Sequence, residues 1–255
     1  MSTSVVAPVG PAGWMRLIAR MIALVILLLV CLILYGLAAA LPGRNPMPRL
    51  FLTGVLRIVG GRLRVQGDAV LAPSVLLANH VSWIDIPALA AATGTAFVAH
   101  SGLADNRLMR TLCRLNRTVF IARDDRASVA GQVDQVRDGL RESGVLTLFP
   151  EGTTNNGREL LPFKSSLLAA VEQSSDEVAI RPVCLDYGEK TDHFAWFGDE
   201  PGLANFTRIL TSRGRFTVTT HILPALTKSD RRDRKTISAA AQFAVMSRMD
   251  QRVAL

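Results

Sequence analysis

The chain has 255 residues, with 29 Lys+Arg against 21 Asp+Glu and a formal net charge of +8, so its partner is anionic: a membrane surface, a phosphate-bearing ligand or nucleic acid. Aromatic residues make up only 6% and do not interleave with basic ones, which argues against a nucleic-acid partner of the single-strand type. Cys31, Cys113 and Cys184 are too few and too scattered for a disulfide framework, which points to a reducing compartment, while 49% hydrophobic residues and a mean hydropathy of +0.27 leave room for a membrane segment beside one domain.

In chain order, residues 1–20 read as a flexible N-terminus, small and bearing Pro and Gly up to Gly13, then carrying Trp14, Arg16 and Arg20. Residues 21–41 are an uncharged run from Met21 to Leu41. As a helix this run is roughly 30 Å long, the thickness of a hydrocarbon core, and it predicts a membrane anchor that spans the bilayer or enters one leaflet as part of a hairpin. Residues 42–61 form a linker broken by Pro42, Gly43, Pro46 and Pro48, followed by an interfacial apolar segment over 50–59. Arg44, Arg49, Arg57, Arg62 and Arg64 follow the apolar run against two Arg before it. The positive-inside rule therefore places the catalytic part, residues 62–255, on the cytoplasmic side of a bacterial-type inner membrane.

From Arg62 onward strand and helix patterns alternate. Strands are predicted over 62–66 (an edge), 74–78 (central), 95–99, 118–122, 145–149, 178–185 and 216–223. Helices are predicted after motif one to about Thr93 and over 103–115, 127–143, 165–173 and 235–252. This predicts an α/β fold with a largely parallel central sheet flanked by helices, behind an N-terminal hydrophobic membrane helix. Arg107, Arg110, Arg114 and Arg117 recur on one face of the second helix, a solvated face or one held against anionic headgroups. A further basic cluster, Lys228 to Lys235, reads as a charged loop and helix start.

The stretch Asn79-His80-Val81-Ser82-Trp83-Ile84-Asp85 follows the central strand. His80 and Asp85 thus flank a strand-to-helix turn, where α/β folds present their chemistry. Either Ser82 caps the helix with Asp85 as its partner, or the helix begins at Asp85 with Pro87 in its first turn. Neutral imidazole is a general base near neutral pH, and a neighbouring carboxylate fixes its tautomer. No Gly-x-Ser-x-Gly elbow supplies a nucleophile. His80, His100, His193 and His221 show no zinc-like spacing, so no metal is expected. Three more motifs end strands: Phe120-Ile121-Ala122-Arg123, Phe149-Pro150-Glu151-Gly152-Thr153-Thr154, and Ile180-Arg181-Pro182-Val183.

These four motifs, in this order, resemble those of the glycerolipid acyltransferases of the 1-acylglycerol-3-phosphate acyltransferase type. Asn79, His80, Ser82 and Asp85 match the first; Phe120, Ile121 and Arg123 the second, whose glycine is replaced by Arg117; Phe149 to Thr153 the third; Pro182 and Val183 the fourth. Leu161-Pro162-Phe163-Lys164 also matches, although the glycine that usually follows is Ser166.

The resemblance implies transfer of a fatty acyl group from a thioester of coenzyme A or acyl carrier protein, with no cofactor, to the hydroxyl of a lysolipid. His80 would be the base and Asp85 its partner. Asn79, Ser82, Arg123, Glu151, Gly152, Thr153, Lys164 and Pro182 would form the substrate-binding set. The leading acceptor is lysophosphatidate. Thr154-Asn155-Asn156-Gly157 and Ala195-Trp196-Phe197-Gly198-Asp199 resemble the lyso-ornithine lipid branch, a close second. A membrane thioesterase or phospholipase using Ser82 is the alternative from another class.

Overall fold

The computed structural model describes residues 9–40, 42–100, 102, 105, 107–121, 129–173 and 177–253. Its centre is a seven-stranded sheet in the order β1-β7-β6-β2-β5-β3-β4, made of β1 (Gly61–Gly67), β2 (Ser74–Ala78), β3 (Ala96–His100), β4 (Val119–Ile121), β5 (Val145–Leu148), β6 (Ala179–Asp186) and β7 (Phe216–Ile222). β2 is parallel to both β5 and β6, with Leu77 opposite Leu148 on one side and Pro182 on the other. β3 is parallel to β4 and β5, β1 is parallel to β7, and the β6/β7 pair is antiparallel. The sheet is therefore largely parallel, with β1 at its edge and β2 near its centre, as the sequence predicts.

All five residues of β2 are buried, because helices cover both faces of the sheet. Side chains alternate between two cores with the period of two that a strand imposes. Leu76 and Ala78 join Val183 and Leu185 under α3 (Asp85–Thr93) and the buried Ile209 and Leu210 of α8 (Gly202–Thr211). Val75 and Leu77 join Ile180 and Cys184 under α5 (Val129–Ser143), α6 (Ala169–Glu172) and α9 (Arg234–Val253). Two further helices lie along the chain, α4 (Arg107–Leu115) and α7 (Thr191–Phe194).

The N-terminal region departs from the expected boundaries. α1 runs from Pro11 to Ala38, so half of the segment read as flexible is helical. Pro11 sits in its first turn, where a missing N–H costs nothing. This helix is long and apolar enough to cross a membrane. The segment read as linker and interfacial stretch forms α2 (Met47–Ile58), which folds back against α1; the Asn45 side chain donates to the Tyr35 carbonyl and accepts from the Met47 amide at the corner.

α1 does not leave the domain. Arg16 Nε donates to the Thr211 carbonyl at 2.9 Å, and Arg20 Nη1 donates to Ile209, Leu210 and Ser212 carbonyls. Two arginines read in the sequence as flanking charges thus satisfy the orphan carbonyls at the C-terminus of α8, where cations also complement the helix dipole. Its outward face is apolar and exposed, from Met15 and Ile18 to Ile33 and Leu37.

Candidate active site

β2 ends at Ala78, and α3 begins at Asp85, with Pro87 in its first turn. The second of the two expected helix starts is therefore the one formed. Asp85 still reaches back as a capping carboxylate: Oδ2 accepts the amides of Val81 at 2.6 Å and Ser82 at 2.9 Å. The Ser82 hydroxyl accepts the Ile84 amide.

The same Asp85 Oδ2 lies 2.8 Å from His80 Nδ1. An ionised carboxylate only accepts, so Nδ1 is the nitrogen that donates to it, and in the neutral ring the lone pair is left on Nε2. Asp85 is fully buried. Its charge is balanced by amide donors, the positive end of α3, the imidazole and the Tyr187 hydroxyl, which donates to Oδ1. Burial and the Asp85 charge push the Tyr187 phenol well above its ordinary range, so it remains a neutral donor. Tyr187 lies 102 residues from Asp85 in the chain, and no motif marks it. The only signal in the sequence is its scarcity, since the chain holds two tyrosines.

The backbone of His80 is held on both sides. Its amide donates to Glu151 Oε1 at 2.7 Å, and its carbonyl accepts the Asn155 amide at 2.8 Å. The Val81 carbonyl accepts the Trp196 amide. Phe149 stacks on the imidazole with ring centroids 4.0 Å apart. The loops after β2, β5 and β6 are thereby fastened into one unit. Gly157, at φ +67°, is needed there, because a Cβ would come within 2.4 Å of Thr191 and 2.9 Å of Val81.

The imidazole lines a cavity of about 660 Å³. Leu28, Cys31, Leu32 and Tyr35 of α1 form one wall, and Met47, Phe51 and Leu52 of α2 another. Met109, Leu112 and Cys113 of α4 line it too, turned from the basic side of that helix. Among the described residues lining it, none is Lys or Arg. The polar end carries His80, Gly152, Thr153, Thr154 and the loop from Trp196 to Glu200. Glu200 is held by Arg208, which grips both carboxylate oxygens, and its carbonyl accepts the Trp196 indole N–H.

The expected substrate-binding set divides. Gly152 and Thr153 line the cavity. Arg123 lies outside the described residues. Asn79 is buried and exchanges two hydrogen bonds with the backbone of Leu185, tying β2 to β6. Glu151 is 1% exposed, and its oxygens accept from His80, Asn155 and Leu161. Burial pushes its carboxyl pKa up, against the pull of those donors. In this structure it fastens the loops to one another, with both oxygens engaged by donors from the chain. Pro182 and Ser82 are also buried and do not line the cavity, and Lys164 is exposed without lining it. A buried Ser82 hydroxyl outside the cavity is poorly placed as a nucleophile, which weakens the hydrolase alternative. Cys184 is buried, whereas Cys113 is half-buried at the cavity wall.

Residues 62–186 match the family model described as Acyltransferase. The chain is 36% identical over 206 residues to the lyso-ornithine lipid O-acyltransferase of Rhodobacter capsulatus, covering 76% of this chain and 72% of the relative. It is 31% identical over 140 residues to the 1-acyl-sn-glycerol-3-phosphate acyltransferase of Neisseria meningitidis, covering 54% of each. The crystal structure of the 1-acyl-sn-glycerophosphate acyltransferase of Thermotoga maritima superposes with a TM-score of 0.63 at 17% identity, over 94% of this chain and 98% of the other, a likeness of fold.

Proposed function

The chain belongs to the acyltransferase family and is an O-acyltransferase of lysolipids, and from that premise we propose that it acylates the free hydroxyl of lyso-ornithine lipid with His80 as general base. The observation that carries the base assignment is the oriented imidazole. Nδ1 is held 2.8 Å from a buried carboxylate, and the ring lines an apolar cavity.

The donor is an acyl thioester of coenzyme A or acyl carrier protein. Nε2 takes the acceptor's hydroxyl proton as its oxygen bonds to the thioester carbonyl carbon. The tetrahedral intermediate then collapses, the C–S bond breaks, and the imidazolium returns the proton to the departing sulfur. The alcohol is the group that needs help, since a thiol of pKa ~8.5 leaves readily. No covalent acyl-enzyme is required. The oxyanion needs donors. The Gly152 amide is engaged with the Phe149 carbonyl. The amides of Thr153 and Thr154 have no acceptor among the described residues, and both residues line the cavity beside His80. We assign them the oxyanion.

One observation favours a lyso-ornithine acceptor over lysophosphatidate, the acceptor that the motifs alone put first: the longer and more similar of the two matches is to a lyso-ornithine lipid enzyme. α1 lies along the domain from Arg16 to Tyr35, so we place it in one leaflet, with the cavity opening to that leaflet and the domain on the cytoplasmic side. Purified enzyme given labelled acyl donor and equal amounts of the two lysolipids tests the acceptor. Lyso-ornithine lipid is expected to be used at least tenfold faster. Equal rates, or preference for lysophosphatidate, would overturn the assignment.

A further inference from the structure

A second cleft, of about 720 Å³, lies apart from the catalytic cavity. It is lined by Arg57 of α2, Arg62 of β1 and Arg215 of the loop before β7, with Thr53, Gly60 and Gly61 also lining it and, among the described residues, no acidic one. Arg20 borders it, with Nη2 only 3.4 Å from where a Cβ on Gly60 would stand. Four arginines elsewhere are paired with carboxylates: Arg137 with Asp134, Arg141 with Asp138, Arg158 with Asp192 and Arg208 with Glu200. The side chains of Arg57, Arg62 and Arg215 have neither a hydrogen bond nor an ion pair among the described residues. Arg57 complements the C-terminal dipole of α2, which accounts for one of the three. Among the described residues no carboxylate balances the other two.

Topology places this cleft beside the membrane-facing helix. β7 is antiparallel to β6, and Gly61 pairs with Phe216 at the starts of β1 and β7. These starts lie at the end of the sheet where β2 and β6 finish, the end that carries His80. Three strand spacings separate β1 from β2, or ~14 Å. The exposed apolar residues Trp14, Met15, Ile18 and Ile22 lie on the stretch of α1 that Arg16 and Arg20 fasten to the adjoining α8 and the loop that follows it.

We infer that the Arg57–Arg62–Arg215 cleft binds the phosphate of an anionic phospholipid headgroup in the bilayer on which the enzyme sits. Guanidinium forks match phosphate oxygens bidentately, and Arg20, which borders the cleft, lies on the helix whose exposed apolar face fits a bilayer. Such a site holds the enzyme at the surface independently of which lysolipid it acylates, so it stands whatever the acceptor proves to be.

The test is flotation of the full chain with vesicles of phosphatidylcholine alone and of phosphatidylcholine with phosphatidylglycerol, without acyl donor or lysolipid. Arg57→Gln/Arg62→Gln/Arg215→Gln is compared with Arg137→Gln/Arg141→Gln/Arg234→Gln, an equal charge loss on α5 and α9. The cleft variant is expected to keep the wild-type melting temperature and to lose about 100-fold in affinity for the anionic vesicles, three charges at ~1 kcal/mol each. The comparison variant should lose less than threefold, and binding to phosphatidylcholine alone should not differ. Equal losses in both variants, or no loss in the cleft variant, would overturn the site. So would stabilisation of the wild type by coenzyme A that the cleft variant lacks, since the phosphate would then be the donor's.

Discussion

At the scale of single residues, the site works because one carboxylate serves two tasks. Asp85 Oδ2 takes the amides that start α3 and also holds the imidazole; Oδ1 takes the Tyr187 hydroxyl. Tyr187 touches no reacting atom and acts through Asp85. Tyr187→Phe keeps the ring against Phe194 and Phe216 but removes one charge-assisted hydrogen bond. Such bonds are worth about 1.5–3 kcal/mol. Steady-state kinetics should show kcat about tenfold lower with KM nearly unchanged, because the substrate walls are intact. A raised KM with normal kcat would place Tyr187 in binding instead. His80 and Asp85 were legible because they lie five residues apart on either side of a recognisable turn. Tyr187 was not, since only the pairing of β2 with β6 brings it to the site. Glu151 was legible as a site residue but not as a buried one; its partners are amides, which carry no sequence signal. Arg117, standing where the family has glycine, takes the left-handed conformation at φ +56° and donates to the Glu142 carbonyl. The backbone geometry survives the substitution at a cost of about 1–2 kcal/mol of strain.

At the scale of elements, the strands were the most legible part. β2 forms over the residues predicted, and β7 stops one short of them, because short apolar runs bounded by turn residues leave little choice. The N-terminal helices and α8 were less so. α2 reads as a broken linker because Pro46 and Pro48 precede its apolar run, yet prolines are tolerated at a helix start. α8 follows Pro201 and starts at Gly202, with no side-chain cap to announce it, and the prediction omits it. Its C-terminal carbonyls are satisfied by Arg16 and Arg20, nearly two hundred residues earlier, a contact that no local pattern reveals. Arg20→Ala leaves three carbonyl bonds unmade. Thermal melting in detergent should show a loss of about 1–3 kcal/mol, a drop of roughly 2–10 °C for a domain of this size. An unchanged melting temperature would mean that α1 is not fastened to α8 by this residue.

At the scale of the whole molecule, the arrangement accounts for chemistry on a lipid without a covalent enzyme intermediate. The sheet brings three loops to one end, α3 supplies the carboxylate, and the two N-terminal helices complete an apolar cavity that ends at the imidazole. The long apolar helix α1 is thus a wall of the cavity as well as the proposed membrane anchor. The most direct test of the account is the rate of acyl transfer from labelled acyl carrier protein or coenzyme A thioester to lyso-ornithine lipid by purified His80→Ala, set against wild type at the same melting temperature. General-base catalysis by one residue contributes about 10²–10⁴-fold, so turnover should fall by at least 100-fold while the lysolipid still binds. A folded His80→Ala enzyme that turns over at the wild-type rate would contradict the account.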